Sequence, residues 1–264
     1  MYRELPPPAG LRHHVACLWV RTPDRPARGG GLSVASGETV ATGETVATGD
    51  GSRPGDVSMI VPDGCTDIMS IGDGVLVAGP DDRPVPFRHT AGSIVGVRFR
   101  PGRATALGAP LGPLRNLRLE LTDLWGDDAA SLEEPLAAGA VDERLDVLVR
   151  AVARRIAADP RVDPVVDEVV RRLGEGERPA VRDLADDLGL SERQLRRRTI
   201  DALGYGPTTY ARIVRFQRAL DRVRAGDALA DVAAGLGYAD QAHLTREVRA
   251  LAGRPPGAIA RDAA

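Results

Sequence analysis

The sequence predicts an α+β protein whose N-terminal half is β-rich and whose C-terminal part is all-α. Up to about residue 100, short apolar and β-branched runs alternate with Gly, Pro and Asp, which is typical of strands joined by turns. After residue 135, apolar residues recur at helical spacings of three and four. Within residues 181–253, one pattern occurs twice.

The doubled pattern is an Ala-x-x-Leu-Gly stretch, a polar turn and a Leu-containing run that ends in Gly-x-x-Pro. The copies are offset by 48 residues up to the first Gly and by 49 afterwards, so one inserted residue in the second turn aligns all later positions. The matched positions include Ala185 with Ala233, Gly189 with Gly237, Leu195 with Leu244, Arg197 with Arg246, Gly204 with Gly253 and Pro207 with Pro256. This pattern predicts two helix-turn-helix units.

The N-terminal half contains five candidate strands separated by turns such as Pro62-Asp63-Gly64 and Gly72-Asp73-Gly74. Together they favour a small antiparallel barrel or sandwich. The candidates are Val15 to Val20, Val57 to Val61, Thr66 to Ile71, Val75 to Ala78 and Ser93 to Phe99.

Residues 37–48 repeat Gly-Glu-Thr-Val-Ala-Thr twice within Gly-rich surroundings. One interpretation is a lid or a partner-binding loop. The other is a slipped-repeat insertion that stays mobile.

Helical segments follow the β-rich part. We expect a short helix at Arg103 to Leu107 and then ordered loop up to Pro135. The next segment has one apolar stripe, which packs either on the barrel or on its twin in a second subunit. The stripe comprises Val141, Leu145, Leu148, Val152 and Ile156.

A second helix, Pro164 to Leu173, ends in Gly174-Glu175-Gly176-Glu177, a C-cap that we expect to lead into a flexible linker. The predicted domains are therefore a β-rich region at 1–135, expected to be a sensor domain, a helical linker or dimerisation segment at 136–177, and a DNA-binding domain at 178–264.

Each unit of the doubled pattern has a candidate base-contacting face. Arg suits guanine and phosphate oxygens, Gln suits adenine, and the Thr methyl suits the thymine methyl. Ser191 and Asp240 are the expected N-caps of the two helices, and His243 is expected to pack or cap. The outward positions are Arg193, Arg196 and Arg197 in the first unit, and Gln241, Ala242, Thr245 and Arg246 in the second.

Charge is divided unevenly along the chain. All 35 basic residues are Arg, which indicates a GC-rich coding bias and weakens the evidence from any single Arg cluster. Residues 178–264 contain 15 Arg against 11 Asp and Glu, whereas the remainder contains 20 against 26. This asymmetry permits a DNA-binding module on an acidic partner domain.

Composition limits the other function classes. The N-terminus has no apolar signal-peptide core and no run is long enough to cross a bilayer, so we expect a cytoplasmic protein without membrane contact. Cys17 and Cys65 form no disulfide framework or four-thiolate zinc site, and both are expected to be small core residues.

Residues 178–260, including the Gly-Arg-Pro-Pro ending, resemble the C-terminal DNA-binding domain of the AraC/XylS family of transcription regulators. The resemblance implies two subdomains joined by a helix, with both recognition helices in successive major-groove segments of double-stranded DNA. It also implies that the seven outward residues face bases, that RNA polymerase is a partner, and that activation is the commoner outcome. The family commonly has Phe where this chain has Thr199, Leu244 and Val248, so we expect different packing under both helices.

The N-terminal half is similar to the sensor domains that often precede this module, which are cupin-like barrels followed by dimerising helices. The stretch from Val61 to Ile68 resembles one found ahead of such modules in regulators from GC-rich bacteria. Either Asp63-Gly64 is a hairpin turn and Asp67 a turn cap, or the stretch lines a pocket.

The leading hypothesis is a sequence-specific regulator whose N-terminal domain senses a small molecule or mediates homodimerisation. The alternative is a DNA-binding adaptor whose N-terminal domain contacts another protein. Packing of seven apolar side chains in the barrel interior would favour the adaptor. They are Trp19, Met59, Ile60, Ile68, Met69, Val95 and Phe99.

A third class is an enzyme, either a metal-dependent cupin or a DNA-repair methyltransferase. The histidines His13, His14, His89 and His243 do not form a cupin metal motif, and neither cysteine lies in a Pro-Cys-His setting. We therefore expect no catalytic activity, no metal and no cofactor.

Overall fold

The computed structural model describes residues 1–23, 44–47 and 56–263. Nine strands lie in the N-terminal part. They are β1 (Tyr2–Leu5), β2 (Val15–Arg21), β3 (Glu44–Ala47), β4 (Val57–Val61), β5 (Thr66–Ile71), β6 (Gly74–Ala78), β7 (Val85–Arg88), β8 (Ile94–Phe99) and β9 (Arg118–Glu120).

The strands form two antiparallel sheets. The larger has the order β1-β2-β8-β5-β6-β9 and the smaller has the order β3-β4-β7. In the described part of the chain, the edges of the two sheets do not pair with each other, so the sandwich form of the prediction is confirmed and a closed barrel is not formed.

All five predicted strands are present, and β4 and β5 have the predicted bounds. The sequence analysis missed β1, β3, β7 and β9, which are three or four residues long and lie at or near sheet edges. Part of the second Gly-Glu-Thr-Val-Ala-Thr repeat is β3, which pairs with β4. The rest of residues 37–48 lies outside the described residues.

Ten α-helices follow the strands in the described part of the chain. They are α1 (Thr122–Trp125), α2 (Asp127–Ala138), α3 (Val141–Ala158), α4 (Pro164–Glu175), α5 (Val181–Asp187), α6 (Glu192–Leu203), α7 (Pro207–Arg224), α8 (Leu229–Gly235), α9 (Gln241–Ala252) and α10 (Pro256–Ala263). None of them is long and apolar enough to cross a membrane.

The helical region begins earlier than predicted. Instead of loop up to Pro135, the chain forms α1 and most of α2, with Pro135 inside α2. The helix expected at Arg103 to Leu107 is one 3₁₀ turn at Thr105–Leu107.

The apolar stripe of α3 packs on the larger sheet of its own chain. Leu145, Leu148, Val152 and Ile156 share one core with strand residues such as Val97, and each of these four is at most 6% exposed. Because this surface is already buried, the alternative in which the stripe pairs with its twin in a second subunit is wrong.

Helix α4 packs with the C-terminal helices. Its buried residues Val166, Val169 and Leu173 form one core with residues of α5, α6 and α7. The expected flexible linker is instead the last turn of α4 and its cap, where the Gly176 N–H donates to the Leu173 carbonyl. We therefore propose that the DNA-binding domain starts at Asp163, the N-cap of α4, and not at residue 178.

Candidate DNA-binding surface

Helix α6 is the recognition helix of the first unit. As predicted, Ser191 caps it: Ser191 Oγ accepts from the Gln194 N–H at 3.3 Å, and Gln194 Oε1 accepts from the Ser191 N–H at 2.9 Å. This reciprocal cap satisfies backbone donors that the first helical turn leaves free. It fixes the end of the helix that carries the candidate DNA contacts.

The inner face of α6 is as predicted at Leu195 and Leu203, both at most 1% exposed. Thr199, at a position where the resembled family commonly has Phe, is fully buried, and its hydroxyl donates to the Leu195 carbonyl at 3.0 Å. Ile200 is half-buried and lies against Gly112 of the N-terminal domain.

The outer face of α6 carries the three predicted arginines. Arg193, Arg196 and Arg197 are exposed, and none is ion-paired with an acidic side chain of the described residues. Their neighbour Arg198 is half-buried and pairs with Asp163 at 3.0 Å. Three arginine charges on α6 are thus unpaired within the described residues, whereas the charge of Arg198 is balanced by Asp163.

Helix α9 is the recognition helix of the second unit, with Asp240 as its predicted N-cap. The Asp240 carboxylate accepts from the His243 N–H, and the His243 ring packs edge-on against Tyr238. His243 Nδ1 also accepts from the Ala239 N–H at 3.3 Å. The predicted packing and capping role of His243 is therefore confirmed.

The predicted outer face of α9 is largely open to solvent. Gln241, Ala242 and Arg246 are exposed, and Arg246 has no acidic partner among the described residues. Thr245 is half-buried and its hydroxyl donates to the Gln241 carbonyl at 2.9 Å. The hydroxyl proton of Thr245 is thus used within the helix, and the methyl and the hydroxyl oxygen as an acceptor are what Thr245 can offer to a base.

Glu247 is a residue of this site that the sequence analysis missed. It is 8% exposed and accepts three bonds from Arg215, at 2.7, 2.8 and 3.0 Å, and one from Arg212 at 3.3 Å. Arg215 also lies over the Tyr238 ring, 4.4 Å from its centroid. These contacts fix the orientation of α9 on α7. The one feature of the sequence that could have indicated these ion pairs is a Glu at an inward-facing position of a predicted helix.

Two family models match the chain. The model described as "Helix-turn-helix domain" matches residues 184–262, which span both units of the doubled pattern. The C-terminal module is an AraC-type helix-turn-helix domain. The model described as "Domain of unknown function (DUF6597)" matches residues 3–120 of the β-rich part.

Solved structures similar to the chain include a probable AraC family transcriptional regulator from Rhodopseudomonas palustris, with 24% identity, a TM-score of 0.35, and coverage of 38% of this chain and 98% of that one. ToxT from Vibrio cholerae is 11% identical at a TM-score of 0.39, with coverage of 79% and 88%. ToxT bound to (E)-4-(8-methylnaphthalen-1-yl)but-3-enoic acid is 9% identical at 0.42, with coverage of 80% and 91%. None of the curated proteins compared with the chain matches it.

The stretch from Val61 to Ile68 differs from the hairpin interpretation made from the sequence. Strands β4 and β5 belong to different sheets, so Asp63-Gly64 is a turn between sheets and not a hairpin. Asp67 lies within β5, 2% exposed, where it accepts from Trp19 Nε1 at 2.6 Å and from Arg98 Nε at 3.2 Å. It is a buried ion-pair partner and not a turn cap.

The seven side chains expected in the barrel interior occupy three different places. Trp19, Ile60 and Met69 lie in an apolar cluster that joins the two sheets. Ile68, Val95 and Phe99 face the helices on the other side of the larger sheet, and Met59 contacts the second unit of the AraC-type domain. Side chains of the described residues nevertheless fill space between the sheets, where Phe87 and Ile94 belong to the same cluster.

The remaining chemistry-bearing residues are mainly structural. Cys17 is buried, and burial raises the pKa of its thiol to about 12, so the reactive thiolate is scarce. Cys65 is half-buried and is therefore less buried than the core position that the sequence predicted for it. Within the described ranges, no three His, Cys, Asp or Glu side chains are grouped to hold a metal ion.

Proposed function

We propose that the chain is a transcription regulator that binds double-stranded DNA in a sequence-specific way through α6 and α9. Its base-facing and phosphate-facing residues are Arg193, Arg196, Arg197, Gln241, Ala242, Thr245 and Arg246. A helix-turn-helix domain places such side chains in the major groove, where bidentate Arg and Gln contacts distinguish base pairs.

The observation that carries this proposal is the division of charge on α6 and α9. Four arginines of the proposed surface have no acidic partner among the described residues, whereas Arg198 on the same helix pairs with Asp163. Arg212 and Arg215, which flank α9, pair with Glu247. Positive charge is therefore left free where the AraC-type domain would meet phosphates and guanines.

Selection of binding sites from a random duplex library, followed by fluorescence anisotropy on the selected and scrambled duplexes, tests this proposal. We expect tighter binding of the selected duplex, with an affinity that falls as salt rises. Equal affinity for selected and scrambled duplexes at physiological salt would refute sequence-specific regulation.

For the N-terminal domain, the occupied space between the sheets supports the adaptor alternative over an effector held there. In this version the domain acts through protein contacts, with RNA polymerase or a second copy of the chain as partner. Sedimentation of the purified chain measures self-association, and a thermal-shift screen tests small-molecule sensing. A metabolite that raises Tm at micromolar concentration would favour the sensor over the adaptor.

A further inference from the structure

The N-terminal domain touches both recognition helices at their C-terminal ends. On α6, the Asp201 carbonyl accepts from the Leu111 N–H at 2.7 Å. The next residue, Gly112, lies so close to α6 that a Cβ there would be 2.8 Å from Cγ2 of Ile200. The loop after β8 is thus fixed against the last turn of α6.

The glycines that end the two recognition helices both face this domain. Gly204 and Gly253 are equivalent in the doubled pattern and have positive φ angles of 84° and 72°. A side chain on Gly204 would overlap Pro80, and one on Gly253 would lie 3.7 Å from Met59 and 3.8 Å from Pro84. One surface of the N-terminal domain therefore covers both helix ends.

Helix α7, which joins the two units, is held by the same surface. Gln217 Nε2 donates to the Pro62 carbonyl at 2.5 Å, and a Cβ on Gly64 would lie 3.2 Å from the Tyr210 ring. Val61 belongs to the apolar core of the second unit, together with Phe216 of α7. The turn between the two sheets is thus part of the contact with the AraC-type domain.

The seven candidate DNA contacts lie in the first half of each recognition helix, away from these ends. A change of one base pair between two DNA sub-sites moves one of them by about 3.4 Å along the helix axis. Hydrogen bonds of 2.5 and 2.7 Å cannot follow such a movement without breaking.

On the basis of the proposed function, we propose that the N-terminal domain positions the two recognition helices and thereby sets the DNA sub-site spacing that the protein accepts. Pro62, Pro80, Leu111 and Gly112 are positioning residues in this sense. They act through α6 and α7 and do not touch DNA.

Two variants of the full chain release the contact from opposite sides. Gln217→Glu is nearly isosteric and replaces the amide donor with a carboxylate that faces the Pro62 carbonyl. Gly112→Val drives a side chain against Ile200. Gln217→Lys, which keeps a donor, and Gly10→Val, at a position where a Cβ would meet no atom within 4 Å, are the matched controls.

The readout is the ratio of the Kd at altered spacing to the Kd at preferred spacing, for duplexes with one base pair added or removed between the selected sub-sites. We expect Gln217→Glu and Gly112→Val to lower this ratio by about fivefold, the factor that corresponds to one lost hydrogen bond. Both controls should keep the wild-type ratio. Circular dichroism verifies that each variant is folded, and a purely structural role would lower affinity at all spacings equally.

A wild-type ratio retained in both variants, or a wild-type protein indifferent to spacing, would overturn the positioning role while leaving sequence-specific binding intact. Failure of the wild-type protein to prefer any selected duplex would instead refute the proposed function, and this inference with it.

Discussion

Replacement of Arg193, Arg196 and Arg197 together by Gln should weaken DNA binding mainly through its salt-dependent part. The three side chains are exposed and have no acidic partner in the described chain, so their charges are available to phosphates. Each phosphate contact contributes about 0.9 to the slope of log K against log salt, so the slope should fall by about 2.7 if all three bind phosphates. Stability should change by no more than about 0.5 kcal/mol because no buried contact is lost.

The corresponding change on α9 should have a different signature. Gln241→Ala and Arg246→Ala should each reduce discrimination between the selected and a base-substituted duplex by about 1 to 3 kcal/mol. The salt slope should change by about 0.9 at most, since only one charge is removed. This contrast follows from the composition of the two faces, three Arg on α6 against Gln, Ala, Thr and one Arg on α9.

Anisotropy titrations at several salt concentrations, on selected and base-substituted duplexes, measure both quantities in one experiment. Arg198→Gln is the matched control on α6, because its charge is already paired with Asp163 and its loss should leave the slope nearly unchanged. The assignment of charge to α6 and discrimination to α9 is refuted if the α6 variant relaxes base preference more than the α9 variants do.

Three further predictions concern stability and pH. Leu195→Ala, at a fully buried position, should lower the free energy of unfolding in urea by about 2 to 5 kcal/mol, and a loss below about 1 kcal/mol would contradict the packing of the first unit. Tyr205→Phe should raise the free energy of unfolding by about 1 kcal/mol, because the Tyr205 hydroxyl is buried without a hydrogen-bond partner among the described residues; a clear loss in urea unfolding would show that the hydroxyl is bonded. Burial raises the pKa of Asp67 from 3.8 to about 6, so its contribution to stability is full below about pH 4 and is lost as pH rises through 6. Trp19 fluorescence should titrate near pH 6 in a Trp125→Phe background and stop doing so in Asp67→Asn; no change on that substitution would exclude Asp67 as the titrating group.

Local signals in the sequence predicted the recognition helices well. The cap at Ser191 and the Gly-x-x-Pro endings fix where α6 and α9 begin and end, because helix termini depend on residues within one turn. The strand bounds of β4 and β5 were predicted for the same reason, from turn residues directly beside them. The order and partners of these strands were not predicted, because they depend on contacts between distant parts of the sequence. Asp67 and Arg98, for example, are 31 residues apart and meet only in the folded sheet.

The sequence did not predict which surfaces the apolar faces of the helices pack against. The stripe of α3 has the same spacing whether it packs on a sheet or on a second subunit, so periodicity could not choose between them. The same limit applied to α4, whose apolar residues joined the first helix-turn-helix core although the Gly174 to Gly176 stretch suggested a linker. The full burial of Tyr205 was not predicted, because a single aromatic residue after a helix cap belongs to no periodic apolar pattern.

Helix α7 contributes to the apolar cores of both units. Its first half contributes Tyr210 and Ile213 to the core with α4, α5 and α6. Its second half contributes Phe216 and Leu220 to the core with α8, α9 and α10. Helix α7 has 18 residues and is about 27 Å long, so it is long enough to contribute to both cores. A helix shared by two cores resists sliding but can still bend between them, and the Gln217 bond to Pro62 lies just after that junction. The N-terminal domain therefore contacts α7 at the point where bending would change the distance between α6 and α9.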